Sequence, residues 1–457
     1  MTEVSAAFDS FVKEHPYPVE YYNFRTKEDP PLVQEGGKYY RTGYAARLIH
    51  NIFRCSNFTE VTKIGESNIT WGTLDDSHGG KRIYPHQKIS HYNKTFSLGS
   101  KAGYDRVMKA FGKRTGHIPD FYPQSYLIPA EYDELKEHFE ESPLWISKPG
   151  GGSRGNGIEV ISELPNLPRS QKIIQKYVAN PMLINGLKFD LRFYVSIFSL
   201  DPLRIYVHEN GLVRLATEQY NDNFDDISNR FAHLTNFSIN KNDPSFKATD
   251  DLSQDGTGNK WTHRPFWPWL KEQGFDPDDI RKKIEDAFVT VIIASREVFM
   301  TQLNHRLSFE LFGFDVMLDD KGEIYILEVN VTPALGTSSQ LDYFVKSPVV
   351  RDIFNMSLLP KEVDDETITK LYQLFVEESE TPAAAIAAIY EYELTQKRLG
   401  MFRCIYPTAE RVESHGPLLE RRTKLDEALE SWLKMNEDEK SKYLQENAPA
   451  FFKLFSK

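Results

Sequence analysis

The chain has 457 residues, 40% of them hydrophobic and 26% charged, with 30 Phe, 23 Tyr and 6 Trp; this supplies apolar surface for several cores and excludes a single small module or global disorder. Acidic side chains outnumber basic ones, 66 against 55, and a net charge of −11 disfavours a nucleic-acid scaffold held through phosphates. The two cysteines, Cys55 and Cys404, are too few for a disulfide framework or a thiolate zinc site, so a reducing compartment is expected.

The N-terminus reads Met-Thr-Glu-Val-Ser, with no basic stretch ahead of an apolar run, and the longest apolar runs, such as 289–294, are too short to cross a bilayer. A cytosolic protein is expected, with neither membrane nor nucleic acid as partner. Residues 1 to about 100 read as irregular, with turns at Asp29-Pro30-Pro31, Glu35-Gly36-Gly37 and His78-Gly79-Gly80 and one helix near 44–52. Between 102 and 200, strands at 122–128, 144–147, 158–161 and 172–178 alternate with a helix at 130–139, an α/β or α+β pattern. Strand signals are dense from 189 to 213, and Asp201-Pro202 and Asn210-Gly211 are turns of an antiparallel meander.

Ile280, Ile284, Phe288, Val291 and Ile292 recur at helical spacing, which predicts a long helix over 278–302. Strands at 309–318 and 324–331 follow, joined by the turn Asp319-Asp320-Lys321-Gly322. Trp261, Phe266, Trp267 and Trp269 read as a packing element. After 359 an acidic segment, 361–366, leads into a region rich in helix formers, with helices at 383–394 and 425–432, expected to form an α-helical appendage.

Three constellations carry chemistry. Between the strand-like 145–149 and 158–161 lies Gly150-Gly151-Gly152-Ser153-Arg154-Gly155-Asn156-Gly157. It lacks the Gly-Lys-Ser/Thr ending of a Walker loop and is followed by a strand, which leaves a phosphate-covering flap or a plain mobile hairpin loop. In the run 187–194, Lys188, Asp190 and Arg192 alternate with Phe189, Leu191 and Phe193, so one face is apolar and the other grips polyphosphate or is merely solvated. Asp315 lies in one apolar strand, and Glu328 and Asn330 lie two apart in the next. Buried acids need partners, and hard oxygen donors suit magnesium shared with phosphates; structural salt bridges would satisfy them equally. His86, His91 and His233 lack zinc spacing and read as turn or core histidines.

Taken in order, the words SKPGGGSRGNGI (147–158), QKYVANPMLINGLKFDLRFYV (175–195), DPLRIYVHENGLVRLAT (201–217), HLTNFSINK (233–241) and ELFGFDVMLDDKGEIYILEVNVTPAL (310–335) resemble the ATP-grasp fold of the tubulin tyrosine ligase-like family. The stretch 391–407 is similar to the polyglutamylase branch nearest the member-four type. The resemblance implies an N-terminal domain (1–100), a central ATP-grasp domain with the flap (101–186), a C-terminal ATP-grasp domain (187–358) and the helical region (359–457). It places Lys101, Lys148, Ser153, Arg154 and Gly155 on ATP phosphates, Gln175, Lys176 and Tyr177 at the adenine hinge, and Lys188, Asp190, Arg192 and Arg214 around the γ-phosphate and acceptor. Thr235 and Asn236 fall near the nucleotide and incoming amino acid, and Asp315, Glu328 and Asn330 match ligands of two magnesium ions.

The implied activity is ATP-dependent joining of free L-glutamate to glutamate side chains of tubulin C-terminal tails through an acylphosphate, by a monomer at the cytoskeleton, cilium or basal body. Glycylases of the family tend to carry Cys where this chain has Thr235, which favours glutamylation over the rival glycylation. Two further classes stay open: a different carboxylate-amine ligase and a catalytically silent nucleotide-binding module. The triple glycine at 150–152 departs from relatives, which usually carry larger residues there. An acidic acceptor needs a local basic surface, for which the C-terminal region offers only short clusters such as Arg421-Arg422-Thr423-Lys424.

Overall fold

The computed structural model describes residues 4–29, 38–43, 45–72, 86–92, 94–151, 157–221, 229–241, 243–247, 251–300, 307–361, 364–376 and 378–455. The fold is mixed α/β, built on three sheets. The first is parallel, in the order β2-β1-β3-β4, from β1 (Lys38–Thr42), β2 (Phe58–Glu60), β3 (Ile69–Trp71) and β4 (Lys88–Ile89). Here the structure departs from the irregular N-terminal region expected. Three of the four strands have only two or three residues, too few to show a period-two pattern. The helices Ala6–Glu14 and Arg47–Cys55 complete this part.

The second sheet is antiparallel, in the order β5-β8-β6-β7, from β5 (Ser125–Ile128), β6 (Trp145–Pro149), β7 (Glu159–Ile161) and β8 (Lys172–Lys176). Its small core holds Tyr126, Leu135, Phe139, Trp145 and Ile174. β6 and β7 pair as the arms of the hairpin expected around the glycine-rich segment. The helix expected at 130–139 is Tyr132–His138.

The central sheet is organised on β10 (Leu187–Leu200), a 14-residue strand with β9 (Leu183–Ile184), β11 (Leu203–His208) and β12 (Leu212–Leu215) hydrogen-bonded to it. β13 (Lys260–Thr262) extends it beyond β12, and β14 (Glu310–Leu318) pairs with β10 and with β15 (Ile324–Asn330). The turn at Asp201-Pro202 is as expected, but the meander is not: β11 and β12 both run antiparallel to β10, so the chain keeps its direction through Asn210-Gly211, which interrupts one strand path instead of turning it. Phe189, Leu191, Phe193, Val195 and Ile197 enter one apolar cluster with the helix Pro277–Phe299, and Tyr194 and Phe198 enter another on the opposite face. The tryptophan-rich element packs into the first of these, with Phe266 5.6 Å from Phe189 and 5.1 Å from Trp267.

The region after 359 is largely helical, with Pro382–Gln396, Lys424–Lys434 and Glu437–Lys453, but it is built into the body rather than appended. β16 (Phe402–Tyr406) pairs with β11 and so extends the central sheet. Tyr390 packs 4.9 Å from Phe8, and Phe451 5.7 Å from Tyr17. The apolar faces of these helices are covered by the N-terminal segment, which no local sequence signal announces. No helix among the described residues is long and apolar enough to cross a membrane.

Candidate active site

A cleft of about 710 Å³, its open mouth included, lies between the second sheet and the central sheet. That is ample for a ligand of nucleotide size. Its lining comes from 101–328, within the segments 101–186 and 187–358. Pro123, Ile146, Ile158, Val178, Met317 and Leu327 give it an apolar part, and Lys101, Lys148, Lys188, Asp190, Asp315 and Glu328 a charged part. Lys101 opens the helix Lys101–Thr115, whose N-cap is Ser100. Gly99 lets this helix approach β15: a Cβ there would lie 2.6 Å from Val331 Cγ2. Lys101 Nζ consequently stands 3.4 Å from Glu328 Oε2.

Lys148 on β6 donates to Gln175 Oε1 on β8 at 2.7 Å, and Gln175 Nε2 donates to the Pro123 carbonyl at 3.4 Å. Lys188 donates to the Tyr177 hydroxyl at 2.9 Å, which also meets His233 Nδ1 at 2.9 Å. Tyr177 therefore holds a cation and a histidine with its phenol. His233, read from sequence as a turn or core histidine, is buried in the cleft wall, while His91 bonds Glu310 Oε1 at 2.8 Å. Lys148 and Lys188 are both almost fully buried. Burial lowers the Lys148 ammonium to about 8, with Glu328 offsetting part of the effect and Lys101 adding to it. Burial also lowers Lys188, to about 7, with Lys148 adding repulsion and Asp190 opposing it. Two buried ammoniums thus repel each other across the cleft, an arrangement that an anion would relieve.

Lys188, Asp190 and Arg192 face the cleft side of β10, and all three are buried, which rules out a merely solvated face. Strand register arranges the charges in two rows. Arg192 on β10, Asp315 on β14 and Glu328 on β15 are successive cross-strand partners, as are Asp190 on β10, Arg214 on β12 and Lys260 on β13. Arg192 grips Asp315 through Nε at 2.5 Å and Nη2 at 3.0 Å; Arg214 grips Asp190 at 2.6 and 2.7 Å and reaches Asp315 Oδ2 at 2.9 Å. Thr235 donates to Asp190 Oδ2 at 2.5 Å, and Asn236 also lines the cleft. Burial opposes ionisation of Asp315, but Arg192 and Arg214 outweigh it and hold its carboxyl well below the usual carboxylate range.

Glu328 reaches the cleft because β15 is bulged. Asp315 pairs with Glu328 and Val316 with Ile326, so Leu327 is an extra residue that switches the phase of the strand. Ile324 and Ile326 face the core before the bulge and Val329 after it, which turns Glu328 and Asn330 outward together. Asn330 Nδ2 donates to Glu328 Oε1 at 3.2 Å and approaches Asp315 Oδ2 at 3.4 Å. Among the described residues no group of three or more His, Cys, Asp or Glu could hold a metal ion. The carboxylates of Asp315 and Glu328 are hard oxygen donors of the kind magnesium takes, whereas Asn330 turns its amide nitrogen toward both and would offer its oxygen only with the amide turned over.

The structure thus brings together Lys101, Lys148, Gln175, Lys176, Tyr177, Lys188, Asp190, Thr235, Asn236, Asp315 and Glu328 on one lining, with Arg192, Arg214 and Asn330 bonded directly to members of it. Ser153, Arg154 and Gly155, expected on the phosphates, lie outside the described residues. The basic cluster at 421–424 is engaged locally, Arg422 by Glu430 and Lys424 by Glu427. Sequence reasoning missed the apolar lining from Pro123, Ile158 and Met317, which carries no motif of its own.

A sequence model of the Tubulin-tyrosine ligase family matches residues 80–366. The chain is 38% identical over 309 residues to tubulin monoglutamylase TTLL4 of Mus musculus, covering 64% of this chain and 26% of that protein. It is 33% identical over 354 residues to a probable beta-tubulin polyglutamylase of Tetrahymena thermophila, covering 71% and 30%. With tubulin polyglutamylase ttll-4 of Caenorhabditis briggsae it shares 29% over 444 residues, covering 86% and 72%. The chain spans about a quarter of the length of the mouse relative. The likeness read from the motifs to the polyglutamylase branch is borne out by these relatives. The match encloses every residue that lines the cleft, and the chain belongs to the tubulin-tyrosine ligase family.

Proposed function

We propose that the chain is an ATP-dependent ligase that joins free glutamate to glutamate side chains of tubulin tails, working at the cytoskeleton. The observation that carries this reading is the meeting of three lysines with Asp315, Glu328 and Asn330 beside an apolar recess, which offers cations to a polyphosphate and oxygen donors to a divalent ion. The names of the relatives, monoglutamylase and polyglutamylase of tubulin, support the choice of amino acid and acceptor.

Magnesium, held by Glu328 and Asn330 with Asp315, would screen the phosphate charge. Lys101, Lys148 and Lys188 hold the phosphates, and the apolar lining takes the base. Arg192 and Arg214, fixed by Asp315 and Asp190, present guanidiniums that need no reorganisation as charge develops. The acceptor carboxylate attacks the γ-phosphorus and breaks its bond to the bridging oxygen of ADP. The amine of glutamate then displaces phosphate from the acylphosphate, losing a proton, and the isopeptide bond forms. Mass spectrometry of tubulin tails after reaction with ATP and equal glutamate and glycine tests the reading. Glutamate addition is expected; glycine addition would make the chain a glycylase, and no addition would overturn the ligase reading.

Two expected outcomes concern the lysines. Lys148→Ala should weaken ATP binding by roughly tenfold or more while leaving the melting temperature nearly unchanged, because removing a buried, repelled ammonium relieves as much strain as it creates. A lower melting temperature with unaltered ATP affinity would show that Lys148 is structural. The second concerns pH. Both ammoniums titrate below the ordinary lysine value, so the folded free protein sheds protons between about pH 7 and 8 that the unfolded chain keeps to about 10. Their unfavourable contribution to stability is full below about pH 7 and fades as pH rises toward 10. Nucleotide binding restores those protons, so the ATP-induced rise in melting temperature should shrink from about pH 6.5 to about pH 9. A rise independent of pH would remove the lysines from the phosphate site.

A further inference from the structure

His233 has no task in the ligase reading, yet it stands in the cleft wall. It ends the short helix Arg230–His233, a segment tied to β10 through the main chain: the Thr217 amide donates to the Phe231 carbonyl at 3.1 Å, and the Ala216 amide to the Lys188 carbonyl at 2.8 Å. From there His233 Nδ1 meets the Tyr177 hydroxyl at 2.9 Å, and the same hydroxyl accepts from Lys188 Nζ at 2.9 Å. Tyr177 directly follows β8 and Lys188 lies on β10, so the second sheet, the central sheet and the helix segment meet at one oxygen. All three side chains are buried and all three line the cleft.

That oxygen matters more to Lys188 than one partner matters to an ordinary lysine. Among the described residues no carboxylate stands in ion-pair contact with Lys188, and its ammonium meets the Tyr177 hydroxyl, the Tyr177 ring at 4.3 Å and the Tyr220 ring at 5.9 Å. Burial and Lys148 act against its charge, and Asp190 offsets them only in part. A phenol carries a single hydrogen. Lys188 can only donate, so the Tyr177 oxygen accepts from it, and the phenol hydrogen goes to Nδ1 of His233 when that imidazole is protonated at Nε2. The histidine thereby decides which way the phenol turns.

We propose that His233 is a positioning residue of the nucleotide site, holding the Tyr177 phenol so that its oxygen faces Lys188 and keeping that ammonium in the cleft for the phosphates of ATP. This rests on the ligase reading above and deepens it by adding a residue that acts through Tyr177. Without an acceptor at Nδ1 the phenol is free to turn its hydrogen toward Lys188, where donor would meet donor, and the ammonium loses the oxygen that offsets its burial.

The test is calorimetric titration of the 457-residue chain with a non-hydrolysable ATP analogue and magnesium. His233→Leu, with a methyl group where Nδ1 stood, should bind the analogue at least about fivefold more weakly than wild type, whereas His233→Asn, of the same shape but with an amide at that place, should stay within about twofold. In a Tyr177→Phe background, which has no phenol to orient, His233→Leu should cause no further loss. If His233→Leu does not fold, His233→Gln, whose amide falls at the Nε2 position, decides in its place with the same expected loss. Undiminished affinity in the deciding variant, an equal loss in His233→Asn, or the full loss repeated in the Tyr177→Phe background overturns the assignment, the last because a merely structural histidine acts whether or not the phenol is present. A wild-type chain that does not bind the analogue would instead overturn the nucleotide site on which the assignment rests.

Discussion

Glu328→Gln should lower ligation by roughly a thousandfold or more while leaving the melting temperature of the nucleotide-free protein within about a degree of wild type. The side chain of Glu328 is 27% exposed, and its contact with Lys101 at 3.4 Å is a partly exposed ion pair, worth at most about 1 kcal/mol. A glutamine is nearly isosteric, keeps an oxygen to accept from Asn330, and places no new group in the core. What it loses is the charge that, in the proposed function, holds a divalent ion against the phosphates. If that ion supplies about 4 kcal/mol of transition-state stabilisation, a thousandfold loss follows. Initial rates of glutamate incorporation, read beside thermal melting, separate the two effects. Near-normal turnover would show that β15 carries no metal ligand, and a large drop in melting temperature would make Glu328 a structural residue.

The alternation of charged and apolar residues on β10 was readable in the sequence because that strand has 14 residues and one uninterrupted phase. Lys188, Asp190 and Arg192 could be placed on one face from period two alone. On β15 the same rule is incomplete. It aligns Glu328 with Asn330, yet carried forward from Ile324 and Ile326 it would send Glu328 into the core; the bulge at Leu327 reverses the phase and leaves no mark in the composition. The pairing of Arg214 with Asp190 was invisible for a different reason, since it depends on the register between β10 and β12. The same holds for Asp342, whose partner Lys260 is supplied by a strand and whose own helix shows only an ordinary i, i+4 pair with Lys346. The N-terminal sheet failed through brevity and β16 through its setting among strong helix formers. Local chemistry was thus legible wherever one strand carried it, and illegible wherever two strands had to meet.

The largest stability effect is expected from Asp315→Ala. Asp315 is 2% exposed and receives Arg192 through two nitrogens, Arg214 through one, and Asn330 more distantly. Arg214 keeps Asp190 after the substitution, but Arg192 loses the carboxylate that it grips and remains 8% exposed. An uncompensated buried charge of this kind costs about 3–5 kcal/mol, which for a chain of this length lowers the melting temperature by roughly 5 °C or more. The explanation makes a further demand. Replacing Arg192 by methionine in the same chain removes the orphaned charge, so the double variant Asp315→Ala, Arg192→Met should melt above Asp315→Ala alone, although neither ligates glutamate. Strict additivity of the two losses would show that Asp315 acts through packing on β14 and not through its guanidinium partners. Recovery of stability without recovery of activity would separate two demands on this carboxylate: fixing Arg192 and Arg214 in the fold, and, in the proposed function, aiming them at the transferred phosphate.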